Sequence, residues 1–323
     1  MKKVLVTGAC GYIGSRLSKY LVETGYGVTA FDSFDPFRYS QWISLMDKVI
    51  IGDIRDENII SDLTEKEFDV VIHLISLDHH KSEDNPNFVS SINVMPTWNL
   101  LDKLTKNGLK KFIYFSTIQV YGDLPNKIIT EDQPPKPVNT YGLTHLLSEN
   151  ICNYFNDKAE TNCINVRLSN SYGSPVFSES NCWWLVINDL CQTAFKHKKI
   201  KLLSDGTPQR DFIHGQDVCK AIEILINTRK NINKNIFHIA SGKTLTILEL
   251  AHMVKEIYHR RYNIVIPVIL KDDSISNDIN TITMDNKFPI IDISRINNMG
   301  FIPGIDLSKG IGELFQYLEE IHE

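Results

Sequence analysis

The sequence has no long apolar run and no long run of basic residues. No stretch approaches the roughly 18 to 20 apolar residues that span a bilayer, so we expect no membrane-spanning helix. The formal net charge is −5, and lysine and arginine form no cluster that would follow a nucleic-acid backbone. We therefore expect neither a membrane nor a nucleic acid as a partner.

Cysteines are few and unpatterned. There are six, and none forms a C-x-x-C pair, whereas zinc sites and disulfide frameworks need closely spaced cysteines. We therefore predict no metal site, and reduced, mostly buried thiols in a cytoplasmic protein. The segment Asp78-His79-His80 resembles a metal-binding cluster, but we interpret it as a solvated loop.

Short β-branched runs alternate with helix-length segments through the first half of the chain. This alternation is typical of βαβ units, so we predict an α/β fold with a doubly wound parallel sheet. The predicted strands are Lys3–Thr7, Gly27–Asp32, Lys48–Gly52, Val70–Leu74, Lys111–Ser116 and Asn162–Leu168. The predicted helices between them are Ile13–Glu23, Glu57–Thr64, Phe88–Lys106 and Gly142–Asn156.

Proline and glycine interrupt the pattern after Tyr172. We predict a first domain over residues 1–172 and a smaller mixed α/β subdomain over 173–323, with segments such as 208–240 returning to the first domain. Further helices are predicted at Trp184–Lys196, Gln216–Asn227, Ile247–Tyr258 and Leu307–Glu319. A cleft between two such lobes is a usual place for a substrate.

A glycine-rich turn follows the first strand. Its backbone amides, with the N-terminus of the next helix, can hold a pyrophosphate, as in a Rossmann dinucleotide-binding domain. Asp32 ends the second strand, 24 residues after Gly8, where its carboxylate can accept both hydroxyls of an adenosine ribose. A carboxylate there repels a 2′-phosphate, so NAD is favoured over NADP. The residues expected to hold the pyrophosphate are Gly8, Cys10, Gly11, Tyr12, Ile13 and Gly14.

Three more residues lie at or just after the ends of predicted strands and are expected to contact the cofactor. Asp53 and Ile54 follow the third strand, where the carboxylate can bond the adenine amino group; a loop carboxylate without a role is the alternative. Leu74 ends the fourth strand.

Together these residues resemble the extended short-chain dehydrogenase family, which carries T-G-x-x-G-x-x-G. Further segments are similar to that family's H-L-A-A, N-x-x-G-T, S-S-x-x-V-Y-G, R-x-x-N-x-Y-G and Q-R-D-F-I-H motifs. They are His73–Ser76, Asn93–Thr97, Phe115–Gly122, Arg167–Gly173 and Gln209–His214. The family includes nucleotide-sugar epimerases, dehydratases, decarboxylases and reductases.

The resemblance implies three catalytic residues, Thr117, Tyr141 and His145. A tyrosine hydroxyl needs a nearby cation to act as a base at neutral pH, and the family supplies it with Tyr-x-x-x-Lys on one helix. Histidine stands here at the lysine position. We expect His145 to bond the nicotinamide ribose and, when protonated, to favour the Tyr141 phenolate. Imidazole is about half protonated near pH 6.5, so we expect slow proton transfer or an altered pH profile.

The resemblance also suggests substrate contacts by Thr117, Asn170 and Arg210. Arg210 can bind a diphosphate through two hydrogen bonds, and a structural salt bridge with Asp211 or another acid is the alternative. The family's 4,6-dehydratases carry Asp-Glu after the catalytic threonine, whereas this chain has Ile118-Gln119. A 4,6-dehydratase is therefore disfavoured.

The leading hypothesis is NAD-dependent oxidation at C4 of a nucleotide sugar, by a 4-epimerase or a 4-dehydrogenase in surface-glycan precursor synthesis. The alternatives are a 4-keto-sugar reductase and a catalytically impaired protein that binds NAD and nucleotide sugar. A homodimer or higher homo-oligomer, paired through Phe88–Lys106 and Gly142–Asn156, is implied by the resemblance alone. Neither the nucleotide nor the sugar can be assigned from the sequence.

Overall fold

The computed structural model describes residues 1–83, 85–228, 235–276 and 289–322. The strands are β1 (Lys3–Thr7), β2 (Gly27–Asp32), β3 (Lys48–Ile51), β4 (Val70–His73), β5 (Lys111–Thr117), β6 (Ile128–Ile129), β7 (Asn162–Leu168), β8 (Asn170–Tyr172), β9 (Ile200–Lys201), β10 (Gln209–His214), β11 (Ile236–Ile239), β12 (Thr244–Thr246), β13 (Val268–Ile269), β14 (Ile275–Ser276) and β15 (Ile290–Ile291). The helices are α1 (Tyr12–Glu23), α2 (Ser40–Leu45), α3 (Glu57–Thr64), α4 (Pro86–Asn93), α5 (Met95–Lys106), α6 (Thr140–Lys158), α7 (Val186–His197), α8 (Gly215–Asn227), α9 (Ile247–Tyr262), α10 (Ser294–Asn297) and α11 (Leu307–Glu320).

Seven strands form one parallel sheet in the order β11-β7-β5-β4-β1-β2-β3. The predicted doubly wound α/β fold is therefore confirmed. The direction of winding reverses between β1 and β4, and open α/β sheets bind their ligands in the crevice outside the carboxyl ends of such strands. The glycine turn after β1 and the segment after β4 both lie at this crevice.

Helices cover both faces of the sheet. Because successive side chains of a strand point to opposite faces, each strand packs against both helix layers. In β1, Val4 and Val6 pack in the layer that contains α1 and α8. Leu5 packs in the opposite layer, with α3, α5 and α6. All three side chains are fully buried, which explains why the strands have apolar side chains at nearly every position.

One predicted helix is wrong, and several predicted helix ends are displaced, by up to four residues at the end of α9. The segment predicted as a single helix, Phe88–Lys106, is divided into α4 and α5 at Val94. Pro96 explains the break, since a proline inside a helix lacks an N–H donor and its ring clashes with the carbonyl four residues earlier. The helix predicted from Trp184 begins at Val186.

The second half of the chain contributes to both lobes. A separate apolar core forms among α7, α9 and α11, beside two three-stranded sheets, β12-β10-β8 and β14-β13-β9. In contrast, α8 packs against α1, and β11 pairs with β7 at the edge of the large sheet. Sequence reasoning did not identify β11, which follows undescribed residues 229–234. The exact domain boundary stays a prediction.

A buried ion pair fixes α6 against the sheet. Arg167 on β7 donates to both carboxylate oxygens of Glu149 on α6, at 2.9 and 2.6 Å. The hydroxyl of Ser116 on β5 donates to the same carboxylate at 2.5 Å, and Arg167 also bonds the Tyr121 hydroxyl at 2.7 Å. The two charged side chains are 3% and 1% exposed, so each is balanced by its partner and not by water.

We expect Glu149→Gln to destabilise the protein by about 3 kcal/mol or more, because it leaves the Arg167 charge uncompensated in the interior. The measurement is the free energy of unfolding in urea. The matched control is Asp102→Asn, which breaks the exposed pair with Lys106 on α5 and should cost less than about 1 kcal/mol. Equal losses in the two variants would contradict this account of α6.

Candidate active site

The glycine turn has the shape that a pyrophosphate needs. Gly8 has a φ of +75°, and a β-carbon there would lie 3.1 Å from the backbone of Leu74 and Ile75. A β-carbon on Gly14 would overlap the Gly8 carbonyl. Gly11 begins α1 without a side-chain cap, so the first amides of the helix remain open to an anion.

The other residues of the turn have structural roles. The Cys10 side chain is buried, and its amide donates to Asp32 at 2.8 Å. The Tyr12 hydroxyl donates to the Gly173 carbonyl at 2.9 Å, which links α1 to the start of the second half of the chain. Ile13 packs against the core. Cofactor binding by these residues stays a prediction.

Asp32 lies at the end of β2 beside the glycine turn. Its two oxygens accept the amides of Cys10 and Phe34, at 2.8 and 3.0 Å. A carboxylate offers about four lone-pair sites, so two remain for the hydroxyls of a ribose. The side chain is partly exposed. The residues present therefore fit the adenosine half of NAD.

Asp53 is paired with Arg55. Its carboxylate accepts two bonds from the Arg55 side-chain Nε, at 2.9 and 3.0 Å, and Arg55 lowers the pKa of Asp53. An adenine bond would share this carboxylate with Arg55. Ile54 is buried, and the Leu74 amide donates to the Thr7 carbonyl at 3.0 Å, at the crevice between β1 and β4.

Thr117 and Tyr141 meet where β5 ends and α6 begins. Thr117 is the last residue of β5 and is 7% exposed. Asn139 caps α6 by accepting the Gly142 amide at 2.7 Å, which places Tyr141 in the first turn. Burial, and then the charge of Asp78, raise the pKa of Tyr141 to about 12, while a hydrogen bond with Thr117 opposes this shift.

His145 lies one turn further along α6, with its ring against Tyr141 at a centroid distance of 4.5 Å. Burial lowers the pKa of His145 to about 4, and a hydrogen bond to the Phe115 backbone opposes that shift only in part. Burial therefore disfavours the protonated imidazole that would support the phenolate, and that role of His145 stays a prediction. Its contact with the nicotinamide ribose stays a prediction.

Sequence reasoning missed two residues that bond His145. Nδ1 lies 2.9 Å from the hydroxyl of Tyr114 on β5, and Nε2 lies 3.1 Å from the hydroxyl of Ser76. Ser76 offered a signal, since it stands where the H-L-A-A motif has alanine. Tyr114 offered none, because an aromatic residue in a buried strand is ordinary.

Two of the three residues expected to bind substrate, Asn170 and Arg210, lie on neighbouring strands. Asn170 on β8 donates to the Asp211 carbonyl at 2.8 Å, and β8 pairs with β10, the strand of Arg210. Arg210 is exposed and donates to the Gln209 carbonyl at 2.8 Å. The Asp211 side chain accepts from Ser169, Ser241 and Lys243, so the alternative of an Arg210–Asp211 salt bridge is wrong.

Asp78, His79 and His80 form part of a polar and aromatic cluster. The two imidazole rings are 3.8 Å apart, and both lie within 6 Å of the Trp184 ring, at 5.4 and 5.7 Å. Asn181 approaches Asp78 at 3.5 Å. Within the described ranges, no group of three or more histidine, cysteine or acidic side chains could hold a metal ion.

The fold and this site match a family of enzymes. Residues 4–240 match the model of the NAD dependent epimerase/dehydratase family, and the chain belongs to that family. Membership confirms the resemblance, the NAD cofactor and the classification as an enzyme. No helix among the described residues is long and apolar enough to cross a membrane.

Three similar proteins illustrate this membership. A putative UDP-glucose 4-epimerase of Methanocaldococcus jannaschii is 28% identical over 98% of both chains. The low-salt glycan biosynthesis protein Agl12 of Haloferax volcanii is 26% identical over 78% of this chain and 81% of its own. The solved UDP-glucuronic acid 4-epimerase of Bacillus cereus, in complex with UDP-glucuronic acid and NAD, is 25% identical, covers 99% of both chains and has a TM-score of 0.80.

We expect Asp32→Asn to weaken NAD binding about tenfold to a hundredfold, because hydrogen bonds to a charged group contribute about 1.5 to 3 kcal/mol. The same change should reduce the preference for NAD over NADP, since it removes the charge that repels a 2′-phosphate. Titration calorimetry on protein stripped of dinucleotide measures both affinities. Asp35→Asn, on the same exposed loop, is the control, and unchanged NAD affinity in Asp32→Asn would contradict the assignment.

Proposed function

We propose that this enzyme is a nucleotide-sugar 4-epimerase that oxidises C4 of the sugar and reduces it again from the opposite face. The observation that carries the proposal is the contact between Thr117 and Tyr141 at the carboxyl end of β5. This end of the sheet also holds the glycine turn and the open N-terminus of α1. We infer that the nicotinamide would lie beside this pair, with Tyr141 as the base and Thr117 as the hydrogen-bond donor.

The chain's own residues account for the proton transfers. Thr117 holds the C4 oxygen, and Tyr141 takes its proton as the C4 hydride leaves. The keto sugar then rotates in the cleft. Tyr141 returns the proton to the C4 oxygen as the hydride adds to the opposite face of the C4 carbonyl. NAD, when bound, supplies the hydride acceptor, then the hydride donor, and a positive charge beside the phenol.

The residues after Thr117 oppose a 4,6-dehydratase. Ile118 is buried in the core, and the Gln119 side chain accepts a hydrogen bond from Asn139 at 3.1 Å. Neither group can transfer a proton at C5 or C6. A 4-dehydrogenase or a 4-keto-sugar reductase would need a second redox partner to exchange the cofactor, whereas an epimerase completes its cycle with one bound NAD.

A UDP-sugar is the substrate class that we infer. Two of the similar proteins are named for UDP-sugars, and the exposed Arg210 guanidinium can bind a diphosphate. Synthesis of surface-glycan precursors in the cytoplasm is the proposed setting, and the name of the Haloferax relative supports the glycan part of it. Asn170, half-buried beside Arg210's strand, would face the sugar.

Purified enzyme should interconvert the C4 epimers of at least one UDP-sugar, and Tyr141→Phe should lower kcat by about 10² to 10⁴, the usual contribution of general acid–base catalysis. The assay follows product by proton NMR with UDP-glucose, UDP-N-acetylglucosamine and UDP-glucuronic acid. Tyr258→Phe, a buried tyrosine in the second core, is the control. Wild-type activity no higher than that of Tyr141→Phe would favour the impaired binding protein, and a net keto product would favour a dehydrogenase.

We also infer a homodimer through α5 and α6. These neighbouring helices leave large apolar side chains exposed to between 43% and 48%. They are Met95, Trp98, Leu143, Leu147 and Tyr154. An apolar patch of this kind on two packed helices fits a second copy, with four helices packed together in the interface.

Leu147→Lys should convert the dimer to a monomer, because it places an ammonium group in the centre of the apolar patch. Sedimentation velocity measures the mass in solution. Leu203→Lys is the matched control, since Leu203 is 87% exposed and lies outside α5 and α6. A wild-type monomer, or a dimer that survives Leu147→Lys, would rule out this interface.

A further inference from the structure

The ring of His145 is held from both sides by hydroxyl groups of distant segments. Tyr114 lies 31 residues earlier in the chain and bonds Nδ1 at 2.9 Å. Ser76 lies 69 residues earlier and bonds Nε2 at 3.1 Å. His145 and Tyr114 are 3% and 1% exposed, so water does not compete for the bond between them. The position that carries lysine in the resembled family is thus built around a fixed neutral ring.

The hydrogen bonds of Ser76 assign the tautomer of His145. The Ser76 hydroxyl donates its single proton to the Leu77 carbonyl at 2.9 Å. It can therefore only accept from His145, which places the imidazole proton on Nε2. Nδ1 is then the acceptor for the hydroxyl proton of Tyr114. Each nitrogen then has one hydroxyl partner beside the hydrogen bond to the Phe115 backbone, and a flipped ring would lose both hydroxyl bonds.

The fixed ring in turn contacts the proposed base. The His145 and Tyr141 rings meet edge to face at a centroid distance of 4.5 Å and an interplanar angle of 67°. Thr117 on β5 lies near enough to the Tyr141 hydroxyl to lower its pKa, so β5 neighbours the hydroxyl of Tyr141 and His145 contacts its ring. If the His145 ring rotated, the Tyr141 ring would lose this contact.

We propose that Ser76 and Tyr114 are positioning residues that lock His145 in the Nε2–H tautomer and thereby fix the ring of Tyr141 for proton transfer. The inference rests on the proposed function of Tyr141. The locked ring replaces the electrostatic support of a lysine with geometric support. Activity then depends on two hydroxyl groups that touch neither the sugar nor the reacting atoms.

Ser76→Ala and Tyr114→Phe should each lower kcat about tenfold to a hundredfold with KM unchanged, because a small misplacement of a catalytic group has an effect of that size. The control is Thr161→Val. The Thr161 hydroxyl is buried and donates to the Leu109 carbonyl at 2.7 Å. Thr161 lies just before β7 begins and thus at the opposite end of the sheet. Loss of kcat in Thr161→Val equal to that in Ser76→Ala would overturn a positioning role.

A second readout needs no turnover. Nitrogen-15 NMR of histidine-labelled protein, with His145→Phe to assign the signal, reports the tautomer directly. The titratable groups that face His145 among the described residues are His73 on β4, Tyr114 on β5 and Tyr141 on α6. We expect a neutral Nε2–H ring that does not titrate between about pH 5 and pH 9, and mixed tautomers in Ser76→Ala.

The two readouts separate this inference from the proposed function. A His145 ring that titrates in the wild type, or that keeps the same tautomer and full kcat in Ser76→Ala, would overturn the inference. Wild-type protein with the expected tautomer that converts no UDP-sugar would instead overturn the proposed function. The expected tautomer together with the kcat losses in Ser76→Ala and Tyr114→Phe supports both.

Discussion

The buried pair of Glu149 and Arg167 is the interaction on which the site depends. Tyr141, His145 and Glu149 follow one another at intervals of four residues on α6, so they share one face of the helix. Glu149 joins that face to β7 through Arg167 and to β5 through Ser116. Because Ser116 precedes Thr117, the same carboxylate fixes both members of the Thr117–Tyr141 pair.

Electrostatics around the phenol distinguish this enzyme from the Tyr-x-x-x-Lys pattern of the family it resembles. Among the described residues, no cation lowers the pKa of Tyr141, and the nearby charge of Asp78 raises it. Burial lowers the pKa of His145 to about 4, which favours the neutral ring. Under the proposed function, proton transfer would therefore depend on the position of Tyr141 and on the positive charge that bound, oxidised NAD would supply. This dependence would couple the proton affinity of Tyr141 to the redox state of the cofactor.

Most of the large sheet could be predicted from the sequence because each strand is a short apolar run bounded by polar or glycine residues. The glycine turn and Asp32 could also be predicted, because each is recognised by its position at the end of a predicted strand. The state of His145 could not, since it depends on hydroxyl groups 31 and 69 residues away. The two-residue strands β9, β13 and β14 are too short to leave a pattern. The spacing of Asp53 in the sequence fits an adenine contact and a pair with Arg55 equally well.

The most direct test of the account is the absorbance of the purified enzyme in the near-ultraviolet band of NADH, recorded as UDP-sugars are added one at a time. The account predicts tightly bound dinucleotide and, with one sugar, a rise in that band that accompanies epimerisation without net loss of NAD. Tyr141→Phe should abolish the rise. Protein that neither carries nor binds the dinucleotide, or a band that no UDP-sugar changes, would contradict it.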